Sequence, residues 1–586
     1  MYVLSKDVER IILKHALINA IKHDGKAILK PVISKVIGER PDLRSSVKEV
    51  YELTSKIIEY VNSLSPTEQR RKLAEYSITV EELEKREVEV KELPPLPNAE
   101  KYKVVRTRFA PNPDFVLTLG NARPAVLSYE YAVKYNGNFI LRFEDTDPKT
   151  KPPILEAYNL IREDLKWLGI KWDLEVIQSK RMEIYYEYAE KLIELRGAYV
   201  CTCSRKEFKA LRDSMKPCPH REHTVSENKA LWNRMLMSDF NEGEAVLRVK
   251  TDLNHPDPSI RDWVAFRIID TERHPHPLTG SKYVVWPTYN FACGIDDHLL
   301  EITHILRAKE HVQNTVKQTY LYKHFSWNYP TAIHFGRLKF SDFILSKSKI
   351  RRFLEENPQE FEGYDDVRFG TLRALRRRGI QPEAIRQIMI EVGIKPSEAT
   401  ISMKNIAAAN RKLLDPIAPR LMFVESPVKV LVKNLDSIRA NIPLHPSNTS
   451  LGSRSYVLEK INGTLELYIS FNDVPLFKEN KLVRLMGLMN VAPIRVSEDV
   501  VVVEFKGVDV HEARKAGAPI IQWCPPGSLK AIIKKPEGLV LREINGIIEP
   551  YVEKIGVDSV VQLIRFGFAR IEKYDNGAVI IYYGHN

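Results

Sequence analysis

The stretch KVVRTRFAPNPDFVLTLGNARPAVLSYEYAVKYNGNFILRFED, residues 103–145, constrains the fold more than any other part of the chain. KVVRTRF (103–109) reads as a strand and NFILRFED (138–145) as another, while Gly120 to Tyr135 has helical spacing with Pro124 placed in its first turn. Gly137 fits the end of that helix. Strand, helix and strand in this order predict a right-handed βαβ unit and hence a parallel sheet. Such sheets bind ligands beyond the carboxyl ends of their strands. The loop at 110–121, with two prolines one residue apart, lies there and opens a helix N-terminus that favours an anion. Gly120 would let backbone approach a phosphate closely.

At 586 residues the chain is too long for one core. VERIILKHALINAIKH and VKEVYELTSKIIEYVNSL carry helical periodicity, predicting a helical domain over 1–97. ELPPLPNAEKYK (92–103) reads as a linker. The parallel-sheet domain is expected over 98–195 and again over 286–350, interrupted by an irregular, cysteine-bearing insertion at 196–285. A helical, arginine-rich region follows at 351–415, and short β-runs with turn signals fill 416–586. Asn462-Gly463 and Asn576-Gly577 are hairpin turns, and the region predicts one or two barrels. The fold class is therefore multidomain, α/β plus all-β.

No run of 18 apolar residues exists, so no membrane span is expected. MYVLSKDVERIILK lacks an apolar stretch with a small-residue cleavage site, and a cytoplasmic protein is expected. The net charge of +12 favours a polyanionic partner such as nucleic acid. Neither G-x-x-x-x-G-K-[ST] nor G-x-G-x-x-G occurs, which disfavours P-loop and ordinary dinucleotide enzymes. FSDFILSKSKIRRF (340–353) groups Ser346, Lys347 and Ser348, either a solvated loop or a polyphosphate contact with Lys347 as a point charge.

Five cysteines make no disulfide framework. Cys201-x-Cys203, fourteen intervening residues, then Cys218-x-His220 suit a tetrahedral Zn²⁺ with four protein ligands, with His223 as an alternative ligand. RALRRRG (373–379) is either a solvated helix face or a contact to an RNA backbone.

RFAPNPDFVLTLGNAR (108–123) and ILSKSK (344–349) together resemble the two signatures of class I aminoacyl-tRNA synthetases. FILRFEDTDP, WPTYNFACGIDDHLLEITHILRAKEH, DDVRFGTLRALRRRGI and NRKLLDPIAPR narrow the resemblance to the archaeal-type glutamyl-tRNA synthetases, from about residue 100 to the end. The resemblance implies a Rossmann-like catalytic domain, an inserted acceptor-binding domain, a helical stem-contact domain and two C-terminal anticodon-binding β-barrels. It implies that ATP and glutamate form glutamyl-adenylate and that the glutamyl group passes to the tRNA 3′ end.

The resemblance assigns ATP to Ala110, Asn112, Thr118, Gly120, Asn121, Ser346, Lys347 and Ser348, with Thr118, Asn121 and Lys347 as the catalytic residues. Glutamate falls to Arg108, Glu144, Tyr289 and Arg307, where Arg307 would meet the side-chain carboxylate; read without the family, Arg307 pairs with Glu301 or Glu310. Mg²⁺ would accompany ATP, and a structural Zn²⁺ would sit on Cys201, Cys203, Cys218 and His220. Cys293 and Cys524 are expected in a core or pocket. The implied partners are tRNA(Glu) and, with an amidotransferase to follow, tRNA(Gln); a monomer is expected.

Two departures stand out. Thr118 and Asn121 replace both histidines of the first signature, and Ile344 replaces the first lysine of the second. Neutral donors would then have to suffice, with Lys347 supplying the charge. Rival readings are a glutaminyl-tRNA synthetase, a paralogue that glutamylates a modified tRNA base, and an RNA-binding protein without catalysis.

Overall fold

The computed structural model describes residues 6–22, 25–76, 92–342, 344–461 and 463–586. The chain forms two compact units, Met1–Glu92 and Leu93–Asn586. Residues 1–5, 23–24 and 77–91 of the expected helical domain, and Asn462 of one expected hairpin, lie outside the described residues.

In the first unit four helices, α1 (Lys6–Lys22), α2 (Leu29–Glu39), α3 (Val47–Ser63) and α4 (Pro66–Ala74), bury an apolar stripe that includes Ile12, Ala16, Val36, Val50, Val61 and Leu73. Ser65 caps α4 in a reciprocal box with Glu68, and Pro66 opens the helix where no N–H is needed. The proline-rich stretch expected as a linker divides at Glu92. Leu93 and Leu96 are buried among Val105, Leu127, Tyr131, Leu306 and Phe335, so from Leu93 onward it belongs to the core of the larger unit.

The larger unit opens on the predicted crossover: β1 (Arg106–Phe109), α5 (Leu119–Lys134), β2 (Asn138–Phe143), then α6 (Leu155–Trp167) and β3 (Leu174–Ile177), with all three strands parallel. Pro124 sits at the sixth position of α5 and not in its first turn, which leaves the Gly120 carbonyl without a donor four residues on. Asn136 (φ 47°), rather than Gly137, takes the left-handed position after α5. Gly137 is required for another reason: a Cβ there would lie 1.9 Å from the Val105 carbonyl oxygen.

After α7 (Met182–Glu194) the chain builds a separate antiparallel sheet, β4 (Ala198–Cys201), β5 (Val246–Val249), β6 (Val264–Ile268) and β7 (Val285–Pro287), around Trp232, Phe266 and Trp286. It then returns through α8 (Tyr289–Leu299) to a parallel pair, β8 (His304–Ala308) and β9 (Thr331–Phe335), joined by α9 (Val312–His324). Thr303 N–H donates to the Arg106 carbonyl at 2.9 Å, which brings β8 alongside β1. The parallel sets β1-β2-β3 and β8-β9 thus lie side by side with β1 next to β8, the later strands of each set lie outward from this junction, and a crevice opens there.

Three further elements position the site. After β10 (Leu338–Phe340) come α10 (Lys347–Glu356) and α11 (Leu372–Arg377). The segment before α11 clasps both signature motifs: Leu119 N–H donates to Gly370 O (2.9 Å), Leu372 N–H to Leu117 O (3.0 Å) and Gly370 N–H to Ile344 O (3.1 Å). Helices Pro382–Val392 and Met403–Leu414 follow, and from Arg420 onward the described residues form an eight-stranded and a seven-stranded sheet with separate cores. Arg420–Leu421 and Phe423–Glu425 join the second of these, so the first barrel-like body is inserted into the other. Asn576 (φ 48°) and Gly577 (φ 75°) make the predicted hairpin turn between strands Gly567–Asp575 and Ala578–His585.

Candidate functional site

The crevice is a cleft of about 780 Å³. Arg108, Ala110, Asn112, Gly120, Asn121, Glu144, Tyr289, Arg307 and Lys347 all line it. Residues from β1, its following loop, α5, the end of β2, α8, β8 and α10 therefore converge on one space.

The floor is a buried charge cluster. Asp297, on α8, accepts Arg108 Nε at 3.1 Å and a nitrogen of Arg142 at 2.7 Å. Arg142 also reaches Glu144 at 2.9 Å, and the Cys293 thiol donates to the same carboxylate. Burial pushes the Asp297 carboxyl up, but Arg108 and Arg142 outweigh it and hold the group down at about 2. Burial pushes the Cys293 thiol up, so it stays a neutral donor.

Arg307 is different. It is 5% exposed, and among the described residues its guanidinium donates only to neutral oxygens: Tyr289 OH (3.4 Å), Thr315 Oγ1 (2.6 Å), Gln318 Oε1 (3.1 Å) and Tyr329 OH (3.0 Å). Its Nε is buried without a partner. The ion pair with a neighbour in sequence does not form, because Glu301 pairs with Arg106 and Glu310 lies 3.7 Å from Arg337. Three guanidiniums, Arg108, Arg142 and Arg307, thus face two carboxylates, Asp297 and Glu144, and the cluster holds one uncompensated positive charge. His311, on the cleft wall, registers it: burial and then Arg307 and Arg108 depress its pKa to about 4. The net charge of this cavity favours an anionic ligand.

Not every expected residue faces the cleft. Thr118 is 4% exposed at the N-cap of α5, where its N–H and hydroxyl both donate to Asn121 Oδ1 at 3.0 and 3.1 Å. Ser346 caps α10, accepting Lys349 N–H, and its hydroxyl lies 3.1 Å from that of Ser348. Neither serine nor Thr118 is among the lining residues, whereas Lys347 is, with Nζ held 2.9 Å from Asp114. Asp297, Arg142, His311 and Gln318 escaped the sequence reading, since nothing in GIDDHLLEI tells a buried anion from a surface acid.

RALRRRG proves to be largely internal, which corrects both sequence readings for most of the run. Arg373 pairs with Glu163 and Asp164, Arg377 with Glu362, Asp365 and Glu572, and Arg378 donates to the Gly584 carbonyl. Arg376 alone among these arginines is exposed. The acids that consume this run lie on α6, before α11 and on the C-terminal sheet, so its charge fastens domains together.

The cysteine group closes on itself. Ligand atoms of Cys201, Cys203, Cys218 and His220 all lie within 4.8 Å of one another. Sulfur–sulfur separations of 3.4 and 3.6 Å, and sulfur to His220 Nδ1 distances of 3.3 and 3.4 Å, come near the edge of a tetrahedron around Zn²⁺, about 3.8 Å for Zn–S bonds. Thr202 Oγ1 lies 3.0 Å from His220 Nε2 and orients the ring. His223 stands outside the group, its Nδ1 buried without a partner.

Residues 104–416 match the family described as tRNA synthetases class I (E and Q), catalytic domain, and residues 418–508 match its anti-codon binding domain. The glutamate–tRNA ligase of Hyperthermus butylicus is 50% identical over 584 residues, covering 97% of this chain and 100% of that protein. That of Pyrococcus furiosus is 49% identical over 582 residues, covering 99% and 100%. With both domains matched in order, and with relatives alike along nearly their whole length, the chain belongs to the glutamate–tRNA ligases of the class I (E and Q) tRNA synthetase family.

Proposed function

We propose that this chain attaches glutamate to tRNA(Glu) in two ATP-dependent steps. The α-carboxylate of glutamate attacks the α-phosphorus of ATP, the bond to pyrophosphate breaks, and glutamyl-adenylate remains. The terminal ribose hydroxyl of the tRNA then takes the glutamyl group and releases AMP. No protein nucleophile is needed, and the chain contributes position and charge.

One observation carries the reading: Arg307 is a buried cation on the cleft wall whose partners among the described residues are all neutral. Glutamate, with two carboxylates and one ammonium, brings the single negative charge the cluster lacks. Glutamine brings none and would leave Arg307 uncompensated, which argues against a glutaminyl enzyme. In this reading Glu144 receives the ammonium, Tyr289 and Arg108 shape the pocket, and Lys347 leaves Asp114 for the phosphates. Gly120 and Asn121 face ATP at the helix N-terminus, beside Ala110 and Asn112.

Finer points belong to the same proposal. ATP enters as its Mg²⁺ complex. The Cys201, Cys203, Cys218 and His220 set holds a structural Zn²⁺, whose four ligands leave no open position for chemistry. The enzyme works as a monomer in the cytoplasm. It also charges tRNA(Gln) with glutamate for an amidotransferase to complete. The test is charging of purified tRNA(Glu) and tRNA(Gln), side by side, with glutamate and with glutamine. Glutamate on tRNA(Glu) is expected; no charging with glutamate, or preference for glutamine, would overturn the reading.

A further inference from the structure

Gln318 is fully buried on α9, one turn from Thr315 and on the same face. Its Oε1 accepts two donors, Arg307 at 3.1 Å and Tyr329 OH at 2.6 Å. Its Nε2 is buried and donates to nothing among the described residues. The amide nitrogen therefore earns no hydrogen bond from the protein. A glutamate at this position would keep the same two bonds and add an ion pair with Arg307. Judged by the chain's own bonding alone, the carboxylate is the better residue.

The amide makes sense only if neutrality is the point. A carboxylate 3.1 Å from the guanidinium would cancel the one positive charge left over in the cluster. Thr315, Tyr289 and Tyr329 follow the same rule, each offering a neutral oxygen. We propose that Gln318 is a specificity-determining residue, which positions Arg307 through a neutral acceptor so that its charge stays available to the side-chain carboxylate of the amino acid. The proposal rests on the glutamate reading above.

The variant Gln318→Glu tests it, being isosteric and able to keep both acceptor bonds. Glutamate- and glutamine-dependent pyrophosphate exchange would be measured with Mg·ATP and tRNA(Glu) present, for wild type and variant. Glutamate kcat/KM should fall by about 100-fold or more, mainly through KM, while glutamine kcat/KM changes by less than about threefold or rises. A preserved glutamate-to-glutamine ratio overturns the proposal, whether both activities survive or both fall together as a merely structural role requires.

Should Gln318→Glu not fold, Gln318→Met removes the acceptor without adding charge. It should lower the glutamate kcat/KM by about tenfold, mainly through KM, while the glutamine kcat/KM stays within about threefold of wild type, and a fall of both together would count against the idea. Wild type without glutamate-dependent exchange would defeat the functional reading itself. Wild type that prefers glutamate, beside a Gln318→Glu variant that prefers it equally, would defeat only the role of Gln318.

Discussion

The carboxylate of Asp164 accepts the backbone N–H of Leu117 at 3.1 Å, one residue before the N-cap of α5. Asp164 lies on α6, and Arg373 reaches its other oxygen at 3.1 Å. One buried acid thus braces the nucleotide loop against the arginine helix. Burial, against the pull of Arg373, raises the Asp164 pKa to about 7 from the ordinary 3.8.

That shift makes stability depend on pH with a definite sign. Between about pH 4 and 7 the folded chain holds a proton on Asp164 that the unfolded chain has lost, so stability falls as pH rises through this window. Asp164→Asn keeps an acceptor for Leu117 and removes the titration. Its stability relative to wild type should improve by about 2–3 kcal/mol between pH 5 and pH 8, measured by denaturant unfolding. A pH-independent difference would contradict it.

Gly120 separates a functional glycine from a structural one. It has no positive φ, and a Cβ there meets only Thr118 Oγ1, at an ordinary 3.7 Å. Gly120→Ala should therefore leave stability unchanged or raise it by up to about 1 kcal/mol. The KM for ATP should rise about tenfold or more, the loss of roughly 1.4 kcal/mol of binding. Thermal unfolding and pyrophosphate exchange on one preparation decide the matter.

Lys347 and Thr118 should behave oppositely. Lys347 lines the cleft, and Lys347→Ala should reduce adenylate formation by about 10²–10³ with little change in stability. Thr118 is spent on capping Asn121, so Thr118→Ala should cost about 1 kcal/mol of stability and only a few-fold in rate. Equal effects on exchange would refute this division.

The arginine run predicts a split within one helix. Arg377→Ala strips partners from Glu362, Asp365 and Glu572 and should destabilise by about 1–3 kcal/mol without altering the salt dependence of tRNA binding. The exposed Arg376 forms none of the ion pairs found among the described residues, and Arg376→Ala should lower the slope of log K against log salt by about 1.

Chelation tests the cysteine group. Purified protein should carry about one zinc per chain, and its removal should lower Tm by about 5 °C or more and open the segment around Cys201–His223 to protease. Cys203→Ser should reproduce the effect. Full stability without bound metal would argue that the four side chains merely share a turn.

The sequence alone determined whatever depends on residues close together in the chain. The β1-α5-β2 crossover, the Cys201 and Cys218 pairs and the Asn576-Gly577 turn each follow from spacing and local backbone preference. Even there, the reason for Gly137 lay elsewhere, in the close approach of the Val105 carbonyl. Tertiary structure decided which charges survive. Arg108 meets Asp297 across 189 residues and Arg377 meets Glu572 across 195, whereas Arg307 pairs with no carboxylate among the described residues. The physical reason is that an ion pair depends on distance and shared burial, and neither is a property of neighbours in sequence when sheets and domains bring the partners together.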